Sequence, residues 1–343
     1  MKFFTVLLLL FLLSCKGKNL STESGLWDGS VFKQLQLPSA NNYRTASGAP
    51  GIDYWQQTVD HDIRVELDVD TNTIIGEELI TYHNNSPDEL TYIWLQLEQN
   101  VHRSDSVRSR EGRSTGELNH SGLVIDILKV NSEEVSWQDY GTLAKINLKK
   151  PLKPKTRLSI FVKWSFAMPI ESGMRMGYED KHKSGPIWEL AQWFPVPCVY
   201  DDVYGWNTLP YIGRGEFYTN FGDYKVEITV PDNHIVFASG VLQNTSDCIT
   251  AEQIKLLNKA KLTDETITIR SSNEINELSE ESKTWKFTGS NIRTFAWATS
   301  ASFIWDASSV SVTQKDGAVT RVLCQTGYPE EAIKVWDEGV RYL

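Results

Sequence analysis

Period-two alternation of apolar and polar residues dominates this chain from Val59 onward. Val59, His61, Ile63, Val65, Leu67 and Val69 share one face; Asp60, Asp62, Arg64, Glu66, Asp68 and Asp70 share the other. Successive strand side chains point to opposite sides, so the run predicts a strand with one wet face. His61 falls on the apolar side, which predicts a hydrogen-bonded core histidine. Thr71-Asn72 turns into a second run ending near His83. After a loop at Asn84 to Asp88, Leu90 to Gln96 carries apolar residues on both faces, as a central strand does. Further strands are predicted at 124–130, 135–137, 144–148, 158–166, 224–230, 235–238, 266–270, 285–287 and 294–299. Pro151 to Pro154 is read as a turn, Arg103 to Asn119 as a polar surface loop, and Glu252 to Lys261 as a short helix. Many short strands separated by turn signals predict a mainly β fold, a sandwich or a saddle.

The pattern changes near the end. Val319 to Cys324 reads as a strand. Tyr328-Pro329-Glu330-Glu331 has the form of a helix start, with Pro in the first turn and acids at the positive end of the dipole. Ala332, Val335, Trp336 and Val340 then follow helical spacing up to Leu343, with no stop signal. A further domain is expected to begin here and to be cut off.

The stretch from Trp188 to Asp223, WELAQWFPVPCVYDDVYGWNTLPYIGRGEFYTNFGD, stands apart. It is too aromatic for a solvated loop and too broken by Pro and Gly for a helix. Gln192, amid Trp188, Trp193 and Phe194, is a neutral hydrogen-bonding group in an aromatic wall. That suits an amine without adding charge; equally, it suits a Gln buried to satisfy backbone. Asp201 and Asp202 form either a turn before Gly205 or a carboxylate pair for acid–base work on a glycan. Adjacent strand residues face opposite ways, which favours the turn. Gly213-x-Gly215 lacks the third Gly and the following helix of a phosphate site, and is read as a tight turn into a strand at Glu216 to Thr219. No Gly-x-Ser-x-Gly appears, so no serine-hydrolase nucleophile is visible.

Composition narrows the classes. The 343 residues carry a net charge of −10, which argues against a nucleic-acid partner. Phe3 to Leu13 is apolar except for Thr5, too short to span a bilayer as a helix. Leu12-Leu13-Ser14-Cys15 resembles a bacterial lipobox. The resemblance implies removal of residues 1–14, lipidation of Cys15, a tether over residues 15–50, and a membrane-anchored place in the bacterial cell envelope. Cys198, Cys248 and Cys324 remain, with no C-x-x-C pair, and are read as buried free thiols.

Three segments together resemble the N-terminal part of aminopeptidase-N-type zinc metallopeptidases, in particular their membrane-associated bacterial branch. They are PGIDYWQQTVDHDIRVELD (Pro50 to Asp68), NNSPDELTYIWLQLEQN (Asn84 to Asn100) and WELAQWFPVPCVYDD with its continuation to Pro231. Phe295-Ala296-Trp297-Ala298 and Phe303-Ile304-Trp305-Asp306 resemble the end of the same β domain. The resemblance implies a saddle-like β domain over residues 51–308 and the first strand and helix of a thermolysin-like catalytic domain over 309–343. It implies that Gln192 helps hold the free amino terminus of a peptide substrate. The complete family enzyme uses zinc, held by His-Glu-x-x-His on one helix and a later Glu, to release N-terminal residues. No two of the six histidines here lie closer than 18 residues, so this chain lacks that motif. The chain is therefore expected to carry no catalytic or metal residues and to be inactive alone. The competing expectation is a non-catalytic surface lipoprotein that binds peptides or glycans through its aromatic wall.

Overall fold

The strand beginning at Thr58 sits in the middle of the largest sheet. In the computed structural model, which describes residues 39–112, 122–170, 175–183, 185–213, 218–275 and 281–332, it runs Thr58–Asp68. Its odd-numbered face is buried as the alternation predicts, with Val59, Ile63, Val65 and Leu67 all nearly inaccessible. It pairs antiparallel with Thr73–His83 and parallel with Gly222–Pro231. Asp68 closes the first connection: its Oδ1 accepts from the backbone N–H groups of Asp70 and Thr71. The whole eight-stranded sheet runs Val241–Leu242, Ser282–Ile292, Gly222–Pro231, Thr58–Asp68, Thr73–His83, Arg157–Ala167, Val124–Val130, Glu133–Glu134.

Two four-stranded sheets accompany it. One orders Ile235–Ala238, Trp297–Ser300, Ile187–Leu190 and Gly177–Glu179; the other orders Val196–Pro197, Leu90–Gln96, Leu143–Leu152 and Trp137–Asp139. Leu90–Gln96 is interior in its sheet, as its two apolar faces predict. Ile63, Trp164 and Val226 of the large sheet, Ile93 of the second small sheet and Trp188 of the first all enter one buried core. The fold is mainly β, as expected. The described helices are short, the longest being Ala251–Ala260, started by a capping box between Thr250 and Gln253.

The chain divides into two units, Met1–Tyr54 and Trp55–Leu343. In the first, residues 39–54 form turns in which Asn41 Oδ1 accepts from the N–H groups of Tyr43 and Arg44. Residues 1–38, with Cys15 and the expected leader, lie outside the described residues.

Several expectations shift. The strand predicted at 135–137 is two pieces, Glu133–Glu134 and Trp137–Asp139, that belong to different sheets, so the chain changes sheet there. The turn predicted from Pro151 starts later. Pro151 stays within Leu143–Leu152, opposite a register shift between Leu90 and Tyr92 that absorbs its missing N–H. Ile304–Thr313 pairs along its length with Val319–Tyr328, a hairpin that extends the predicted 319–324 strand at its C-terminal end. The expected division after residue 308 falls inside the first of these strands. Within the polar loop from Arg103, Val107–Arg110 makes one helical turn capped by Ser106, and Arg103 is held by Asp105 and Asp139. Residues 113–121 and the helix expected at 333–343 lie outside the described residues.

Candidate functional site

The aromatic stretch spans two sheets. Ile187–Leu190 pairs with Trp297–Ser300, and nine residues on, Val196–Pro197 pairs with Leu95 and Gln96. Between them the chain must turn a corner, and it does so at Gln192. That residue has φ +58°, the left-handed region that costs a side-chain-bearing residue about 1–2 kcal/mol. The corner is held from both sides. Gln99 Nε2 donates to the Gln192 carbonyl at 2.6 Å, and the indole N–H of Trp193 donates to the Phe295 carbonyl at 2.7 Å.

The side chain of Gln192 is only 6% exposed. Its Oε1 accepts from the Tyr211 hydroxyl at 2.9 Å, and its Nε2 makes no hydrogen bond with a described residue. A second lone pair on Oε1 remains for an ammonium, and Nε2–H for a carbonyl. Tyr211 is itself fixed, its backbone N–H donating to Thr142 Oγ1 at 2.9 Å. Thr142 in turn accepts at its carbonyl from the N–H of Leu97, the residue before Glu98. Thus the ends of the 90–96 and 143–152 strands and the returning 207–212 segment converge on Gln192.

They enclose a cavity of about 260 Å³, with Glu98, Leu143, Leu209, Tyr211, Ile212 and Tyr218 in its wall. Glu98 accepts no hydrogen bond from a described residue, and burial pushes its carboxyl up to about 7. An unpaired carboxylate beside an apolar wall is made stable by an incoming cation. The sequence singles out Gln192 and gives no signal at Glu98, Gln99 or Tyr211. Glu98 reads locally as a polar strand end, and nothing near Gln192 in sequence points to it.

The aromatic wall is corrected. Trp188, Trp193 and Phe194 are buried at 3%, 0% and 2%; Trp188 packs on Tyr178 and His234, Trp193 on Trp164 and Trp297, and Phe194 on Tyr224 and His61. These rings are core and offer no face to a sugar or a peptide. Asp201 takes the turn alternative. Its Oδ1 accepts from the N–H groups of Val203 and Tyr204, and its Oδ2 from the Tyr218 hydroxyl at 2.6 Å. Gly213 has φ +77°, as a tight turn requires, and residues 214–217 lie outside the described residues. Tyr218 and Thr219 form no ladder. Side chains pin this segment instead, with Asn220 Nδ2 donating to the carbonyls of Pro197 and Cys198.

Three of the described histidines, His61, His234 and His83, pair within the fold. His61 is 3% exposed, bonded to Glu78 at 3.2 Å and stacked on Tyr224, the core histidine the sequence predicts. Burial lowers its pKa to about 3 and raises that of Glu78, so the pair is neutral. His234 meets Thr299, and His83 meets Asp60. Among the described residues no three His, Cys, Asp or Glu side chains assemble as a metal site. Cys198, Cys248 and Cys324 are free thiols.

No protein-family model matches the chain, and no curated protein matches it. Among solved structures, an M1 zinc metallopeptidase from Deinococcus radiodurans is similar at 13% identity and a TM-score of 0.45, over 82% of this chain and 50% of its own. A variant of that enzyme bound to a Tyr-Ser-Ala substrate gives 13% and 0.44 over 82% and 51%. A two-domain M1 zinc metallopeptidase bound to L-tryptophan gives 12% and 0.42 over 81% and 49%. The chain spans about half the length of these structures.

Proposed function

We propose that this chain is the substrate-side β portion of a zinc aminopeptidase, and that Gln192 and Glu98 receive the amino terminus of a peptide. The reading rests on the segments quoted from Pro50 to Pro231 and on one observation. Gln192 is held in a left-handed corner with its amide half-satisfied, one hydrogen bond from a cavity that contains an unpaired carboxylate. Glu98 supplies charge for an ammonium; Gln192 supplies an acceptor for its N–H and a donor for the first carbonyl. Strain kept at a corner this well supported is consistent with a placement the site needs. The zinc ligands lie on no residue of this chain that the sequence or the described side chains identify, so no hydrolytic step is assigned to it. Cys15 is the proposed lipid attachment point, holding the protein at a membrane of the bacterial cell envelope.

The test is a binding titration of the chain with a tripeptide and with its N-acetylated form, beside a zinc assay and an amino-acid anilide assay. The free amine should bind weakly, on the order of millimolar. The acetylated form should not bind, Glu98→Gln should abolish binding, and no turnover should appear. Equal binding of both peptides would remove the amine reading; stoichiometric zinc with turnover would remove the claim of inactivity. Mass spectrometry of the mature N-terminus checks Cys15.

A further inference from the structure

The chain is acidic overall, yet residues 149–157, Lys-Lys-Pro-Leu-Lys-Pro-Lys-Thr-Arg, hold five cations and no acid. They form the corner at which the chain passes from the Leu143–Leu152 strand of a small sheet to the Arg157–Ala167 strand of the large one. A cleft of about 500 Å³ opens at this corner. Its floor is apolar, with Val130, Leu152 and Leu158 all buried, and its rim carries Lys149, Lys150, Lys153 and Arg157. Two carboxylates also border it, Glu89 and Glu133. Glu133 pairs with Lys149 at 3.0 Å, whereas Lys150, Lys153 and Arg157 make no ion pair with a described residue. Lys155, just outside, donates to the Asn85 carbonyl.

Five clustered cations outnumber the two carboxylates at the cleft, Glu89 and Glu133, and the arrangement gains from an anionic partner that neutralises several at once. From this geometry we infer that the 149–157 corner is a docking surface for an anionic phospholipid membrane. Phosphoryl headgroups meet Lys150, Lys153 and Arg157, and the apolar floor receives the glycerol and upper acyl region. Charge complementarity selects this occupant. A polyanion offers charge alone, whereas an anionic membrane offers phosphoryl charge for the rim and apolar chains for the floor. The inference is independent of peptide recognition at Gln192 and of lipidation at Cys15.

The test compares the full chain on vesicles of phosphatidylglycerol mixed with phosphatidylcholine and on phosphatidylcholine alone. Any acyl group or apolar leader contributes to both, so the readout is the ratio of the two partition coefficients. The ratio should favour the anionic vesicles and fall as salt is raised. Replacing Lys150, Lys153 and Arg157 together with Gln should lower the ratio on the order of tenfold to a hundredfold. The same net charge change at Lys255, Lys259 and Lys315, exposed and elsewhere, should leave it within about twofold. The single Lys153→Glu change should act in the direction of the triple variant. A ratio of one, or a ratio unchanged by the triple variant, overturns the inference. Loss of vesicle binding to inorganic phosphate at equal ionic strength would assign the corner to a free anion instead. Binding of polyglutamate or RNA without binding of anionic vesicles would likewise overturn it.

Discussion

The Tyr211 hydroxyl donates to Gln192 Oε1 at 2.9 Å, joining a left-handed corner of the chain to the wall of the Glu98 cavity. The contact bridges 19 residues, while the Gln99 bond that fixes the Gln192 backbone bridges 93. The amide is therefore placed by three separate segments, and its orientation depends on the corner keeping φ near +58°.

That dependence gives the first prediction. Gln192→Ala and Gln192→Gly both remove the amide, but only Gly enters the left-handed region without a steric penalty. Gln192→Gly should be the more stable of the two by about 1 kcal/mol in urea unfolding. Equal stability, or a more stable Ala variant, would show that the corner is not left-handed.

His61 and Glu78 predict a pH profile. The native pair stays neutral, one proton on Glu78 and none charging His61. Glu78 has a raised pKa, so its contribution is complete below the ordinary carboxylate range and is lost as pH rises. His61 has a lowered pKa, so its contribution is complete above the ordinary imidazole value of 6.5 and is lost as pH falls toward about 3. The two slopes cancel between roughly pH 4.5 and 6.5, a plateau with loss on either side. On the alkaline side the pair contributes up to about 1.4 kcal/mol of loss per pH unit. In Glu78→Gln the Glu78 share of that alkaline loss should vanish above about pH 7, leaving the shares of Glu98 and of the buried thiols Cys198 and Cys248, whose pKa values are also raised. Denaturant midpoints across this range check it; an alkaline slope identical to that of the unmodified protein would contradict the neutral pair.

Gly76 lies directly across from Trp164 in the sheet, and a Cβ at this position would enter the six-membered ring of that indole. Trp164 is fully buried against Phe166 and Trp193, so it has nowhere to move. Gly76→Ala should cost about 1–3 kcal/mol. Adding Trp164→Phe should recover part of it, since the smaller ring leaves room and the indole N–H has no partner here. A double-mutant cycle by thermal unfolding reads the coupling; simple additivity would count against the contact.

The strands whose alternation is driven by burial on one face were legible in the chain. Arg157–Ala167 matches its alternation within a residue and Thr58–Asp68 within two. The Ile304–Thr313 strand was not, because its first six residues are all buried and its last four all exposed, which leaves no period to read. At the candidate site, the aromatics around Gln192 are core, since a Trp-rich segment has the same composition whether it lines a pocket or fills one. Glu98 and Tyr211 gain their meaning only when the 90–96 and 207–212 segments meet, and no local signal encodes that meeting.

Asp201 separates a structural carboxylate from a chemical one. Its two oxygens take three hydrogen bonds, from Val203 N–H at 2.9 Å, Tyr204 N–H at 2.8 Å and the Tyr218 hydroxyl at 2.6 Å. The first two close the turn between Tyr200–Asp201 and Gly205–Trp206, and the third holds Tyr218 in the cavity wall. Asn keeps an acceptor for both backbone groups, and the Tyr218 hydroxyl can rotate to accept from its amide. Asp201→Asn should therefore cost under about 1 kcal/mol, while Asp201→Ala should cost about 1–2 kcal/mol through the lost turn bonds. Peptide binding at the cavity should survive the Asn change and weaken with Ala, because only Ala removes the bond from residue 201 to the Tyr218 hydroxyl. Titration of both variants alongside their unfolding curves checks the pairing of effects. Binding lost in Asp201→Asn with the fold intact would mean that the charge itself, and not the turn, serves the site.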